Sequence, residues 1–253
     1  MHRLSGIFPS LGIILSIIIL ISKLTAMKRI FPVLFLALSV MAEELPPAPH
    51  ILAAARAQLP SFPVFMSGTL KEKAPNGFVR KTLDVQMTLD WNADAPQADY
   101  KISDSKSKTV HELKLILGTE GMDPVFKENG KEISFDPNAE ISGCGVTWAD
   151  LTFAFLWNPN AKTVGVEKKF GKERYEISIP RPGDRTLQLW VEKDTGRMAQ
   201  AEERDAAGNR KKVIKVVSVK NFDDLWMVKD LDIIQPETGS RSSLRIDEVK
   251  EVR

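Results

Sequence analysis

Apolar and polar residues alternate most regularly between Thr82 and Trp91. A period of two predicts a strand with one buried face and one solvated face. The apolar positions are Leu83, Val85, Met87, Leu89 and Trp91, and the polar positions are Thr82, Asp84, Gln86, Thr88 and Asp90. Phe65 to Lys73 precedes this strand across Ala74-Pro75-Asn76-Gly77, whose residues favour a turn, so the two segments are predicted to form a hairpin.

Short apolar segments separated by turn residues also fill the chain from Arg185 to Val252. Gly and Asp at the breaks allow tight turns, and each break is too short for a crossover helix. The pattern therefore predicts consecutive antiparallel strands, a β-meander. Further strands or hairpins are predicted at Asp99 to Ile102, Thr109 to Leu117, Phe126 to Phe135 with a turn at Asn129-Gly130, Lys162 to Lys169 and Glu173 to Ile179.

Two segments have helical spacing instead. An amphipathic helix is predicted from His50 to Leu59, ended by Pro60. A second helix is predicted to begin after Thr147, which has capping-box character with Asp150, and to run to about Leu156. The apolar stripes are Ile51, Leu52, Ala55 and Leu59 in the first helix and Trp148, Leu151 and Phe155 in the second. The pattern leaves open whether these helices pack into a filled core or cover a cavity.

The meander contains four stretches with a recognisable order of strand and turn residues: Leu189 to Gly196, Glu202 to Gly208, Trp226 to Lys229 and Thr238 to Leu244. These stretches resemble the C-terminal half of the LolA-like outer-membrane lipoprotein-sorting proteins, and a poorly characterised branch of that superfamily more than its best-studied carrier. The resemblance implies an α+β, mainly β, fold. It would be a strongly curved antiparallel sheet or incomplete β-barrel with two helices covering the concave side.

The resemblance also implies a lipid cavity on the concave face. The candidates to line it are Leu83, Val85, Met87, Leu89 and Trp91 on the strand and Trp148, Leu151 and Phe155 on the second helix. The implied function is a periplasmic carrier that binds acyl chains of lipoproteins, or of other lipidated molecules, for sorting to the outer membrane. A membrane-associated donor or acceptor protein would be a partner. The alternative is a non-transporting interaction or sensor module in the cell envelope, built on the same scaffold.

Two departures from the best-studied carrier stand out. The chain ends soon after the predicted strand at Arg245 to Val249, without the carrier's additional C-terminal helix and strand, which implies a different partner surface. The arginine that fastens the carrier's lid has no assigned counterpart, because Arg80, Arg204 and Arg245 all lie on predicted strands of unsettled facing.

Residues 1–42 are predicted to be a targeting segment. They contain no acidic residue and two apolar runs, Ile7 to Ile21 and Ile30 to Met41, both shorter than the roughly 20 residues of a comfortable membrane span. A basic pair, the second run and small residues at its end have the three parts of a secretory signal, so the signal is predicted at 27–42 with Met27 as the start. The alternative is that Leu11 to Ile21 anchors a longer precursor, and an uncleaved signal would also leave an N-terminal membrane anchor.

Removal of the targeting segment would change the net charge and the length of the chain. The segment carries four of the 35 basic residues and none of the 33 acidic ones, so the net charge moves from +2 to −2 and 211 of 253 residues remain. A near-neutral chain with scattered charges offers nucleic acid no electrostatic footprint. The predicted organisation is a linker at 43–49 and a single LolA-like domain at 50–253, exported to the periplasm of a Gram-negative-type bacterium.

The sequence holds no catalytic or phosphate-loop motif, so neither an enzyme nor a cofactor is expected. His50 and His111 share no metal-ligand spacing with Cys144, the only cysteine. Cys144 could be a reactive thiol, and a small buried or loop residue is the alternative. The paired carboxylates Asp223-Asp224 and Glu202-Glu203 are interpreted as solvated surface charges.

Overall fold

The computed structural model of the protein describes residues 44–91, 95–118, 121–222 and 225–252. The chain divides into two compact units, Met1–Leu45 and Pro46–Arg253, and the second contains the sheet. The predicted targeting segment and the pair Asp223-Asp224 lie outside the described residues. Among the residues that are described, no helix is long and apolar enough to cross a membrane.

A single antiparallel sheet of thirteen strands organises the described part of the second unit. The strands are β1 (Val64–Lys73), β2 (Val79–Asp90), β3 (Gln97–Asp104), β4 (Thr109–Gly118), β5 (Gly121–Glu128), β6 (Lys131–Glu132), β7 (Lys162–Lys169), β8 (Lys172–Arg181), β9 (Arg185–Glu192), β10 (Met198–Arg204), β11 (Arg210–Phe222), β12 (Leu225–Gln235) and β13 (Ser240–Glu251). Their spatial order is β6-β5-β4-β3-β2-β1-β13-β12-β11-β10-β9-β8-β7. The sheet therefore consists of two meanders that meet at the β1–β13 pair and does not close. The predicted mainly β, curved and incomplete architecture is confirmed.

The β1–β13 pair joins the two ends of the domain. It runs from Val64 opposite Glu251 to Lys73 opposite Arg241, with an irregularity between Ser67 and Gly68. A Cβ atom on Gly68 would lie 2.0 Å from the carbonyl oxygen of Arg245, so the backbones approach too closely for any side chain. Glycine at this position thus allows the sheet to bend where its halves meet.

Local patterns predicted the two N-terminal hairpins well. The alternation in β2 is confirmed, since Leu83, Val85, Met87 and Leu89 are buried and their polar neighbours are not. The turn between β5 and β6 has φ values of 51° at Asn129 and 80° at Gly130, as a type I′ turn requires. The second arm is shorter than predicted, because β6 contains only two residues and Phe135 lies beyond it.

The helices differ more from the prediction. The first, α1 (Ala48–Arg56), has proline in its first turn and ends three residues before Leu59. The second, α2 (Trp148–Leu151), has the predicted capping box, in which Asp150 accepts from the Thr147 amide at 2.9 Å. It does not continue to Leu156 as one helix.

The interruption of the second helix has a local cause. The Thr152 hydroxyl donates to the Trp148 carbonyl at 2.9 Å, a bond that favours bending at the end of a helix. Phe153 then adopts a left-handed conformation with φ of 49°, and the chain continues as a 3₁₀ turn, Ala154–Trp157. The predicted second helix is therefore two short helical turns separated at Phe153.

Residues 133–161, between β6 and β7, are called the plug segment below. They contain α2, the 3₁₀ turns Ile141–Gly143 and Ala154–Trp157, and irregular backbone. Their buried side chains join those of α1 and of the sheet's concave face in one hydrophobic core. The plug residues in this core are Ile141, Cys144, Val146, Trp148, Leu151, Phe155, Leu156 and Ala161.

Candidate functional site

All eight predicted cavity residues belong to the apolar region between the sheet and the plug segment. The four from Leu83 to Leu89 on β2 are at most 6% exposed, and Trp148, Leu151 and Phe155 are at most 3% exposed. Trp91, at the end of β2, is half-buried and packs against the same core. The structure thus brings these residues together, and their role as a lipid cavity stays a prediction.

Aromatic rings account for much of the contact between sheet and plug. Trp148 meets Phe126 edge-on at 5.3 Å and Tyr100 at 6.4 Å between ring centroids. Trp91 lies 5.1 Å from Trp157 at the other end of the plug. Edge-on and tilted pairs at these distances contribute about 0.5 to 1.5 kcal/mol each beyond the burial of their area, so they help to hold the plug against the sheet.

Separate polar contacts fix the plug segment to the sheet and to α1. Lys212 on β11 donates to Asp150 Oδ2 at 2.6 Å, and both side chains are largely buried. Lys81 on β2 donates to the Ser142 carbonyl at 2.5 Å. Arg56 on α1 donates to the Leu156 carbonyl at 2.5 Å. The Gln235 side-chain amide donates a hydrogen bond to the Gly145 carbonyl, and the Ser242 hydroxyl donates one to the Cys144 carbonyl.

Two residues of the plug segment hold a left-handed backbone without being glycine. Ser142 and Phe153 both have φ of 49°. This conformation costs of order 1 kcal/mol per residue, and it persists only where surrounding contacts impose it. The Lys81 contact at Ser142 is one such restraint. The plug is therefore held in place by its contacts, with little support from its own helical structure.

His111 connects the sheet to the plug segment. Its ring stacks on Phe126, and its Nε2 atom lies 2.9 Å from the Ser142 hydroxyl. Nδ1 lies 3.5 Å from Glu128 Oε2. Burial lowers the pKa of His111, and the cation on Lys81 acts in the same direction, while the carboxylates of Glu128 and Asp104 oppose the shift.

This pKa direction predicts a loss of stability in mild acid. The folded chain disfavours protonated His111, so the unfolded chain takes up the proton first as the pH falls. The stabilisation is complete above about pH 6.5 and is lost as the pH drops through the lower folded-state pKa. We expect the urea midpoint to fall between about pH 6.5 and pH 5, and His111→Gln to flatten that dependence.

The exposed His50 on α1 supplies the control for this measurement. His50→Gln should retain the pH dependence of the unsubstituted chain. Equal slopes of urea midpoint against pH in the His111→Gln chain and the unsubstituted chain would show that His111 does not link sheet and plug through its charge.

The described part of the chain contains at least two concave regions. A cleft of about 390 Å³ opens between α1 and the turn at Asp194 to Gly196, and we call it the rim cleft. Ile51 and Val191, both core residues, lie at its apolar side, and His50 and Lys193 lie among its polar residues. A second groove, of about 370 Å³, follows β1 to β5 and is lined largely by outward-facing residues such as Gln86 and Lys101. The rim cleft is the one that meets α1.

Cys144 lies within the plug segment and is fully buried in the core. Burial, the largest effect, raises the pKa of its thiol to about 11. A thiol with such a pKa holds little thiolate at neutral pH, and thiolate is the nucleophilic form. Of the two alternatives from sequence, the small buried residue therefore agrees with the structure.

The interpretation of Glu202-Glu203 as solvated surface charge is wrong. Both residues lie on β10 and are at most 5% exposed. Their cationic partners are Lys169, Arg204 and Arg210 around Glu202, and Arg181 and Arg185 around Glu203. Glu202 and Glu203 point to opposite faces of the sheet, so each is covered by basic side chains of its own face. Their adjacency in sequence gave no indication of these partners.

The sequence analysis missed two polar residues that contact the plug segment, Lys212 and His111. Lys212 precedes the buried Ile214 by two residues on β11, and His111 precedes the buried Leu113 by two residues on β4. Each therefore occupies an inward position of its strand, where an apolar residue is expected. A polar residue at such a position signals a buried partner, and this signal was present in both alternation patterns.

Solved structures with this architecture are known from several bacteria. A DUF1329 family protein from Desulfovibrio piger matches with a TM-score of 0.66 at 13% identity, over 81% of this chain and 91% of that one. An outer membrane lipoprotein-sorting protein domain from Vibrio parahaemolyticus matches at 0.65 and 14%, over 80% and 91%. A LolA superfamily protein from Nitrosomonas europaea matches at 0.61 and 15%, over 83% and 95%. The fold is LolA-like.

The similarity is structural. No protein-family model matches the sequence, and no curated protein is significantly similar to it. Structural similarity at identities of 13 to 15% shows a shared fold but does not show a shared activity. The LolA-like resemblance and the fold class predicted from the meander are confirmed at that level.

Proposed function

We propose that the protein binds acyl chains of lipoproteins, or of other lipidated molecules, between the concave face of the LolA-like sheet and the plug segment. One observation carries the proposal: a continuous apolar sheet face is covered by a segment with little regular structure. The plug contains one four-residue helix and two 3₁₀ turns, which are too short to be stable alone. Such a cover can move while the hydrogen-bonded sheet stays intact.

The energetics support exchange of plug for ligand. Each buried methylene contributes about 0.8 kcal/mol, so a typical acyl chain contributes roughly 10 kcal/mol before its ordering costs. The sheet would lose contacts with Trp148, Leu151 and Phe155 and gain contacts with methylenes. Because both states bury the sheet face, the net cost of opening comes from the lost polar contacts of the plug and from the exposure of the plug's own apolar side chains.

The rim cleft supports a route of entry. Its apolar side is formed by Ile51 and Val191, which belong to the same core as the candidate residues. A chain that enters there would pass between α1 and the sheet, while its polar end stays beside Lys193 and His50 at the surface. This arrangement suits a ligand with one long apolar part and one polar part.

The proposal places the protein in the periplasm, exported by the predicted signal at 27–42, with a membrane-associated protein as donor or acceptor of cargo. We propose a binding protein and not an enzyme, since Cys144 is buried with a raised thiol pKa. Nucleic acid is not proposed as a partner, because the charges of the chain are nearly balanced.

A second candidate function is a non-transporting interaction or sensor module. The observation in its favour is the tight burial of the candidate residues, with Leu83 and Phe155 at most 1% exposed. In that case the concave face is permanently filled, and recognition takes place on the outer surface. The two candidates differ in whether the core ever accepts an acyl chain.

The test begins with the chain from Glu43, purified from an envelope fraction without detergent. Native mass spectrometry and organic extraction should reveal acyl-bearing mass, and a fluorescent fatty acyl probe should bind to the emptied protein. Met87→Asp should weaken probe binding by more than about tenfold, because a carboxylate on the concave face would be desolvated beside the ligand. Gln86→Asp is the matched control, since Gln86 faces outward opposite Lys101.

A second variant covers the case in which Met87→Asp does not fold. Ala57→Trp at the exposed end of α1 should fill the rim cleft and slow probe binding while leaving the urea midpoint unchanged. A chain at its bare mass that binds no probe, with the fold verified by circular dichroism, would refute acyl binding and favour the interaction module.

A further inference from the structure

The face of the sheet opposite the core carries a second group of buried side chains around Trp190 on β9. Trp190 is 2% exposed, and its indole N–H donates to Glu167 Oε2 at 2.9 Å. The ammonium of Lys169 lies 3.1 Å from the centre of the indole ring. Side chains from the edge strand β7 thus cover Trp190 on the outer face, where the indole would otherwise be exposed.

Arg174 on β8 lies near the tip of the β7–β8 hairpin, and its guanidinium group is only partly hydrogen-bonded. The residue is 4% exposed, and its Nη2 atom donates to Glu192 Oε1 at 2.9 Å. Among the described residues, no acceptor contacts its Nε or Nη1 atom, and both atoms are buried. A buried donor of a charged group without an acceptor is costly, so native proteins rarely retain one without a reason. An additional hydrogen-bond acceptor at this position would satisfy the Nε and Nη1 donors of Arg174.

Phe170 covers this position in a strained conformation. It forms the hairpin turn with Gly171, with φ values of 52° and 79°, and its side chain is 59% exposed. A type I′ turn favours Asn or Gly at this place, and a bulky aromatic residue there is an outlier. The ring nevertheless lies over the buried Arg174, with the guanidinium carbon 5.3 Å from its centre.

Two lysines complete the surroundings of the Phe170 ring. The ammonium groups of Lys169 and Lys215 each lie 5.8 Å from its centre. Within the described residues Lys215 has no salt bridge; Asp232, opposite it in the strand register, is instead bound by Ser243 and Arg241. Three cations from β7, β8 and β11 therefore surround one exposed, strained ring.

We propose that Phe170 is the movable roof of a phosphate-binding site formed by Lys169, Arg174 and Lys215. Movement of the ring would expose the free donors of Arg174, and a phosphate oxygen would supply the missing acceptor. Three cations around one position favour a group that carries more than one negative charge and several acceptor oxygens, as phosphate does. The site lies on the opposite face from the proposed acyl site and does not depend on it. Its ligand is a phosphate group, either free in solution or on a lipid head group.

The test is isothermal titration calorimetry with inorganic phosphate and glycerol 3-phosphate at constant ionic strength. Saturable binding of one phosphate per chain is expected. Arg174→Met should weaken it by about tenfold or more and Lys215→Met by about threefold. Phe170→Asn should strengthen it, because asparagine tolerates the left-handed turn and opens the site. Lys220→Met is the matched control, since Lys220 lies on the same strand as Lys215 and also faces an aromatic ring, Phe222.

A vesicle arm distinguishes the two sources of phosphate. Preferential binding to phosphatidylglycerol over phosphatidylcholine vesicles, lost in Lys215→Met but not in Lys220→Met, would assign the site to a lipid head group. Binding of the soluble phosphates alone would assign it to a free ligand. Absence of saturable phosphate binding, equal weakening by Lys215→Met and Lys220→Met, or preference for acetate would overturn the proposal. Lys215→Met keeps the test valid if Arg174→Met does not fold.

Discussion

Replacing Lys212 with methionine is expected to lower the free energy of unfolding by about 3 kcal/mol. The substitution keeps the length and apolar volume of the stem but leaves Asp150, which is 1% exposed, without its cation. Among the described residues, the carboxylate would retain only the Thr147 amide as a nearby donor. Urea unfolding monitored by tryptophan fluorescence would measure the loss, because Trp148 and Trp157 both belong to the plug segment.

A second substitution separates the lost charge pair from lost packing. Adding Asp150→Asn to Lys212→Met removes the isolated carboxylate and should recover part of the stability, a coupling that a double-mutant cycle measures. Lys211→Met is the control, since Lys211 lies next in sequence and its partners Asp205 and Glu237 are at the surface. Similar small effects for Lys211→Met and Lys212→Met would show that Lys212 does not fasten the plug.

The strand content of this fold was predictable because its signals are local. Alternating strands and the turn residues that separate them follow one another along the chain, and neighbouring strands in each meander are neighbours in sequence. The β1–β13 pair is different, because it joins residues about 180 positions apart. Its bend at Gly68 depends on the approach of a distant backbone, the Arg245 carbonyl, which no local pattern contains.

The structure of the plug segment was only partly predictable from the sequence. Its capping box at Thr147 was visible in the sequence, but the break at Phe153 was not, because apolar spacing continues through it to Leu156. The break depends on which hydrogen bonds and packing contacts are available after folding. Periodicity could therefore identify the core face of Trp148 and Phe155, and could not decide whether the two residues share one helix.

Buried charge is the feature that a sequence reading recovers least. Glu202 and Glu203 have the composition of a surface turn, and their burial follows from cations on strands β7, β8, β9 and β11 that only the folded sheet brings together. The same holds for the Arg174 group on the outer face. Cross-strand partners are set by register, and register is a property of the sheet.

Replacing Glu202 with alanine tests whether its carboxylate belongs to a buried ionic cluster, and we expect a large loss of stability. The change would leave Lys169, Arg204 and Arg210 facing one another without the carboxylate that they share. Removing one partner of a buried ionic cluster costs about 3 to 5 kcal/mol, so the urea midpoint at neutral pH should fall substantially. Part of the loss is repulsion between the cations, so it should be smaller in about 1 M salt, where the screening length is about 3 Å.

Glu173→Ala is the matched control for that experiment. Glu173 lies on the neighbouring strand β8, its side chain is 65% exposed, and it pairs with Lys193 at 3.6 Å. An exposed pair of this kind contributes at most about 1 kcal/mol. If Glu202→Ala and Glu173→Ala shifted the midpoint equally, Glu202 would behave as surface charge. If the midpoint of Glu202→Ala recovered in phosphate buffer but not in chloride of equal ionic strength, the cations around Lys169 would be accepting an anion in place of the lost carboxylate.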